Sequence, residues 1–269
     1  MDILPRLAQF CSPWVLIQAA AGRRRATRAC VRAGPLAWLV LACTLLSAFP
    51  GCVSVCRKGS EAARFDIFAR ETFKRVYPLL AEQILTDYQI RDGLCLDVGC
   101  GPGYLSMEMA ARSELKVIGV DIDPEAVRIA RRNVAERKLA DRVSVEQGDV
   151  HSMRFEDNCA DVIVSRGSFL FWKNPTHAFR EIYRVLKPGG VAFIGGGMGR
   201  GITPEEKTVL KAKVDAAGFL MSCRGTFTQV MMQETLEAAG IRHYKIMPDG
   251  PGDSGCKCGM WVEIRKPAG

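Results

Sequence analysis

Three histidines, His151, His177 and His243, are all that the 269 residues contain. Chemistry that leans on an imidazole base therefore has few candidates. No apolar run reaches the roughly twenty residues that a spanning helix needs; Leu36 to Phe49 is fourteen residues long. The glycine-rich segment 195–201 is not followed by Lys-Ser or Lys-Thr, which excludes a phosphate loop there. Eleven cysteines show no spacing that reads as a disulfide framework. Nor is there a broad surplus of positive charge. The formal charge is +8, but residues 1–57 hold seven arginines and one aspartate, +6 of that total. The remainder is close to neutral, so the basic balance is no argument for a nucleic-acid partner.

What is present centres on residues 94–103, Leu-Cys-Leu-Asp-Val-Gly-Cys-Gly-Pro-Gly. A buried strand runs into a turn with glycine at alternate positions, 99, 101 and 103, and helix-compatible residues follow from Tyr104 to Arg112. Without Cβ atoms the backbone turns tightly and a ligand can approach the main chain. Strand, glycine turn and helix together make a nucleotide-type site. A second strand, 116–121, ends in Asp121, 24 residues after Asp97, close to where a ribose-binding carboxylate belongs. The spacing is G-x-G-x-G, not the G-x-G-x-x-G of a pyrophosphate turn. Asp97, just before the turn, would repel a phosphate and suits a cationic amino group. A ribose, an adenine-like base and a positive amino-acid end describe S-adenosylmethionine.

On these residues the chain resembles the class I S-adenosylmethionine-dependent methyltransferases, in the branch of the quinone-biosynthesis C-methyltransferases. Residues 94–103 resemble that family's first motif, 120–124 (Val-Asp-Ile-Asp-Pro) the second, 148–150 (Gly-Asp-Val) the third, and 186–190 (Leu-Lys-Pro-Gly-Gly) the turn before the fifth strand. The resemblance implies an α/β fold with a Rossmann-like seven-stranded mixed sheet, order 3-2-1-4-5-7-6, and helices on both faces. It also implies a cofactor site at Asp97, Gly99, Gly101, Gly103, Asp121, Ile122, Asp149, Val150 and Ser165. Asp121 is a natural bidentate acceptor for two ribose hydroxyls. Ile122 is expected on the adenine face and Asp149 at its exocyclic amine, although Asp149 could equally be a turn residue capping Gly148.

Three segments follow: a basic and hydrophobic leader (1–57), a helical cover (58–90) and the catalytic unit (91–269). The arginines at 23–32 precede the apolar run 36–49, as in a signal peptide or anchor, and a small residue before Cys52 resembles a lipoprotein cleavage site. Export would separate the unit from a cytosolic cofactor. Three readings stay open: an anchor that associates with the membrane through residues 36–49 and holds the unit at the cytosolic face, a true export signal, or a start codon that belongs at Val53 or Val55. Helical periodicity runs from Ser60 to Leu85, with Pro78 set to kink or split it. This cover either packs on the sheet or forms a lid, with Tyr77 and Phe65 as acceptor contacts.

The fourth strand, 160–165, leads into Arg166, Gly167, Ser168 and the aromatic cluster Phe169, Phe171 and Trp172. Ser165, Arg166 and Ser168 are the polar groups expected beside the cofactor carboxylate or the acceptor. The aromatic cluster reads as packing more than as a substrate box. The Asn/Asp/Ser-Pro-Pro-Tyr/Phe motif of amino-directed DNA and protein methyltransferases is absent, which points to a small-molecule acceptor. Five glycines in residues 195–201 suggest a mobile loop. Cys95 and Cys100 read as small core or turn residues. Cys256 and Cys258 could hold a soft metal, but two thiolates are an incomplete site and no metal is expected. No catalytic base is assigned. The alternative to an enzyme is a non-catalytic S-adenosylmethionine sensor or membrane-tethered scaffold. A nicotinamide oxidoreductase is disfavoured by the glycine spacing and Asp97.

Overall fold

The structure is a computed structural model that describes residues 60–219, 227–249 and 259–269. The leader and the Cys256/Cys258 pair lie outside the described residues. Helix α1 (Glu61–Thr72) and α2 (Val76–Asp87) come first. They are broken at residues 73–75, ahead of Pro78. Pro78 instead occupies the first turn of α2, where its missing N–H has no intrahelical partner to lose. Strand β1 (Leu94–Val98), α3 (Tyr104–Ala111), β2 (Lys116–Asp121), α4 (Pro124–Glu136) and β3 (Val143–Gln147) form the first half of the sheet. Then come β4 (Ala160–Arg166), a short 3-10 turn (Ser168–Phe171), α5 (Pro175–Val185) and β5 (Leu186–Gly195). Helices α6 (Pro204–Ala217) and α7 (Gln229–Ala238) precede β6 (Tyr244–Pro248) and β7 (Met260–Arg265).

The seven strands run in the order β3-β2-β1-β4-β5-β7-β6, as the resemblance implies. β1 to β5 are parallel, and β7 is antiparallel to both β5 and β6. Both faces are covered, so the central strands are nearly continuous apolar runs. Successive residues feed opposite cores. Cys95, Val162 and Phe193 face the core built with α1 to α4. Leu96, Ile163 and Ala192 face the core built with α5 and α7. Local signals set the helix starts. Asp123 caps α4 by accepting Glu125 N–H at 2.9 Å, with Pro124 as its first residue. Asn174 caps α5, and Thr203 with Glu206 forms a capping box on α6. Among the described residues no helix is long and apolar enough to cross a membrane.

Candidate active site

The parallel strands end together at one edge, and the glycine turn sits there. It hangs from β2: the Val120 carbonyl accepts Gly99 N–H at 2.7 Å and Cys100 N–H at 3.1 Å. The glycines do different work. Gly99 has φ +68°, and a Cβ there would overlap the Ser168 side chain, so glycine makes room for the start of the 3-10 turn. Gly101 has φ +52°, and its N–H donates to Asp121 Oδ2 at 2.8 Å. The Phe65 ring lies 3.5 Å from where a Gly101 Cβ would stand, which places α1 over the turn. Gly103 begins α3 beside Ala130. Cys95 and Cys100 are buried as expected, and burial pushes both thiols well above their ordinary range.

Asp97 is only 2% exposed, and Ser106 Oγ donates to its Oδ2 at 2.6 Å. Burial pushes its carboxyl up to about 7; the Ser106 bonds oppose this and the nearby Asp121 adds to it. Asp121 is also raised, chiefly by burial, while backbone donors hold it down. Its Oδ2 takes Gly101 N–H and its Oδ1 takes Asp123 N–H at 3.0 Å. Each oxygen keeps a lone pair. Next to it Ile122 is 63% exposed, a large apolar side chain with no cover. Asp149, half exposed, accepts the His151 N–H at 2.9 Å and the imidazole Nδ1 at 2.6 Å on the same oxygen, Oδ1. Val150 is buried.

At the end of β4 the expected polar trio divides. Ser165 is fully buried, and its hydroxyl meets Ser168 Oγ at 2.6 Å; Ser168 in turn donates to the Val98 carbonyl at 3.0 Å. These two hydroxyls tie β4 to β1. Arg166 faces the other way, toward the cover helices. Its guanidinium lies 4.0 Å from the Phe73 ring centre and 5.3 Å from that of Tyr77, and its Nε donates to the Gly197 carbonyl at 3.0 Å. Among the described residues no carboxylate pairs with it. Tyr77 is buried, which raises its phenol, against the opposing charge of Arg166. Phe169 and Trp172 are core residues, while Phe171 is exposed.

Two acids of the site carry no motif signal. Asp66, buried on α1, accepts Tyr104 OH at 2.8 Å, Asn133 Nδ2 at 3.0 Å and Arg132 at 2.7 Å. Asn133 also donates to the Pro102 carbonyl at 3.0 Å, so the cover is latched to the glycine turn. The one hint in the sequence is an acid amid Phe65, Phe68 and Ala69. Asp249 fastens part of the glycine-rich loop expected to be mobile. It accepts Met198 N–H at 2.9 Å, Gly199 N–H at 2.8 Å and Trp261 Nε1 at 2.8 Å, and pairs with Lys207 at 3.0 Å. A Cβ at Gly197 would collide with Asp249 and Trp261, so glycine there permits close packing.

A family model described as a methyltransferase domain matches residues 96–194. A solved structure from Methanococcus maripaludis, a candidate S-adenosylmethionine-dependent methyltransferase, is 36% identical with a TM-score of 0.67, covering 78% of this chain and 96% of that one. The chain belongs to the S-adenosylmethionine-dependent methyltransferases. A sterol 4-C-methyltransferase of Caenorhabditis elegans is 32% identical over 120 residues, 45% of this chain and 35% of that protein. A ubiquinone/menaquinone biosynthesis C-methyltransferase of Geotalea daltonii is 32% identical over 105 residues, 38% of this chain and 45% of that one. The matches thus span less than half the length of these two curated relatives. S-adenosylmethionine is the cofactor of the methyltransferase family, and the donor set fits it. Asp121 has lone pairs for a diol, Ile122 offers a bare apolar surface, Asp149 has an oxygen that takes no bond among the described residues, and Asp97 is a buried acid just before the glycine turn.

Proposed function

We propose that the chain transfers the methyl group of S-adenosylmethionine to a small-molecule acceptor. The observation that carries this is the glycine turn bonded to Asp121 beside an exposed Ile122. In this reading Asp121 accepts both ribose hydroxyls. Ile122 packs on the adenine, Asp149 takes its exocyclic amine, and the Val150 backbone lies alongside. Asp97, once ionised, supplies negative charge near the amino-acid end. Gly99 and Ser165 contribute through backbone and packing rather than side-chain contact. When bound, the cofactor supplies a methyl already activated by its sulfonium, with a thioether as leaving group. The chain's own task is to align and desolvate the acceptor. Phe65 on the latched α1 keeps water from the turn. Tyr77, Phe73 and Arg166 line the acceptor side, and they orient a molecule rather than take a proton from it. A thiol, a metalloid or an activated carbon needs no base. The relatives named for sterol and quinone C-methylation make a carbon acceptor one of the chemistries to test. The catalytic unit is expected to work in the cytosol, where the cofactor is made.

Calorimetric titration of the full chain with S-adenosylmethionine and S-adenosylhomocysteine tests the site. Both bind, and Asp121→Ala weakens both by at least about tenfold, the effect of losing hydrogen bonds to a charged acceptor. Unchanged affinity in that variant removes the site assignment. Release of S-adenosylhomocysteine on a panel of thiols, metalloids, sterols and quinone precursors then identifies the acceptor.

A further inference from the structure

Asp149 makes more than an ordinary turn. An aspartate commonly accepts the backbone N–H two residues on, and here Asp149 Oδ1 accepts His151 N–H at 2.9 Å. The same oxygen also receives the imidazole of His151, Nδ1 to Oδ1 at 2.6 Å. The far nitrogen, Nε2, faces the Asn174 N–H at 3.2 Å and must accept from it. That partner assigns the ring proton to Nδ1. The imidazole is therefore a fixed donor braced against the start of α5, where Asn174 is itself tied to His177 N–H at 3.0 Å. Both donors from His151 reach Oδ1, and no bond to Oδ2 occurs among the described residues. The backbone and imidazole of His151 also hold the Asp149 carboxyl below the ordinary carboxylate range, against some desolvation.

We propose that His151 is a positioning residue, which fixes the Asp149 carboxylate so that Oδ2 selects a 6-amino purine and rejects a 6-oxo purine. This rests on the reading of Asp149 as the acceptor for adenine. An exocyclic amine donates to Oδ2, whereas a 6-oxo group turns a second acceptor toward it and leaves both unpaired. A carboxylate free to rotate about its last torsion can swing that oxygen aside, and the penalty against the oxo base falls. The bond from Nδ1 removes that freedom.

The test compares S-adenosylhomocysteine with S-inosylhomocysteine by calorimetry on the full chain, in wild type, Asp149→Ala and His151→Ala. Wild type prefers the adenosyl compound by about a hundredfold or more. Asp149→Ala abolishes the preference. His151→Ala retains the backbone bond, so it narrows the gap by about five- to tenfold, chiefly because the inosyl compound binds more tightly. His151→Gln, with an amide donor in place of Nδ1, recovers part of the gap. If His151→Ala keeps the full preference, or weakens both ligands equally as a merely structural residue would, the positioning role is wrong and the Asp149 assignment survives. If Asp149→Ala keeps the preference, or wild type binds neither compound, the adenine reading fails and the proposal with it.

Discussion

Asp97 lies almost wholly inside the protein with one serine hydroxyl on its carboxylate. Unfolded, it ionises near the ordinary aspartate value of about 4. Folded, it keeps its proton up to about 7. Between those values the native state binds the extra proton. Stability from this group is therefore full below about pH 4, declines as pH rises, and is lost above about 7. Asp97→Asn removes the dependence. The variant matches wild type near pH 4 and exceeds it at pH 8 by on the order of 2–4 kcal/mol. Denaturant titrations at the two pH values measure this, and a gap independent of pH would refute it. Legibility at this scale was uneven. Asp121, Ile122 and Asp149 stand in motifs read along one stretch of chain. Ser165 gave no clue, because a serine ending a strand can face ligand or core, and only Ser168 and Val98 decide which.

Among the elements, α1 is latched to its neighbours through a single acid. Three donors from two other helices converge on Asp66, whose partners lie 38, 66 and 67 residues away. Separations of that size explain why the latch was invisible, since helical periodicity reports an apolar face and not what meets it. Asp66→Ala strands Tyr104 and Asn133, and about 2–4 kcal/mol of local stability is lost. Hydrogen exchange in residues 61–72 accelerates in the variant while β1 and β4 keep their protection. Uniform loss across the sheet would instead mean that α1 is part of the global core. The break between α1 and α2 carries a related lesson. Pro78 signalled an interruption but not its place, because proline is comfortable within the first turn of a helix and so marks a start as readily as a break.

At the scale of the whole molecule, strand order was the most readable property. Apolar runs such as 160–165 must be covered on both faces, and ordered motifs assign each run a position in the sheet. β5 begins earlier than its apolar residues suggest, at Leu186, because Leu186 pairs with Ala160 of β4 ahead of a register shift, after which pairing resumes at Val162 and Val191. A ligand that recognises only this folded edge shifts the unfolding of the whole unit. Saturation with S-adenosylhomocysteine at a hundred times its dissociation constant adds about 2.7 kcal/mol, which is roughly 5–10 °C in a melting scan. A scan that does not move would show that the site is not formed in the native protein. The suspension of the glycine turn from Val120 has a consequence for how such a protein can change. The acceptor is a main-chain carbonyl, which every residue type carries, so substitution at position 120 cannot delete it. The shape of the turn is thereby insulated from side-chain drift in its neighbour strand. In the proposed reading, variation at Arg166 and Tyr77 could then change the acceptor while the turn keeps its shape.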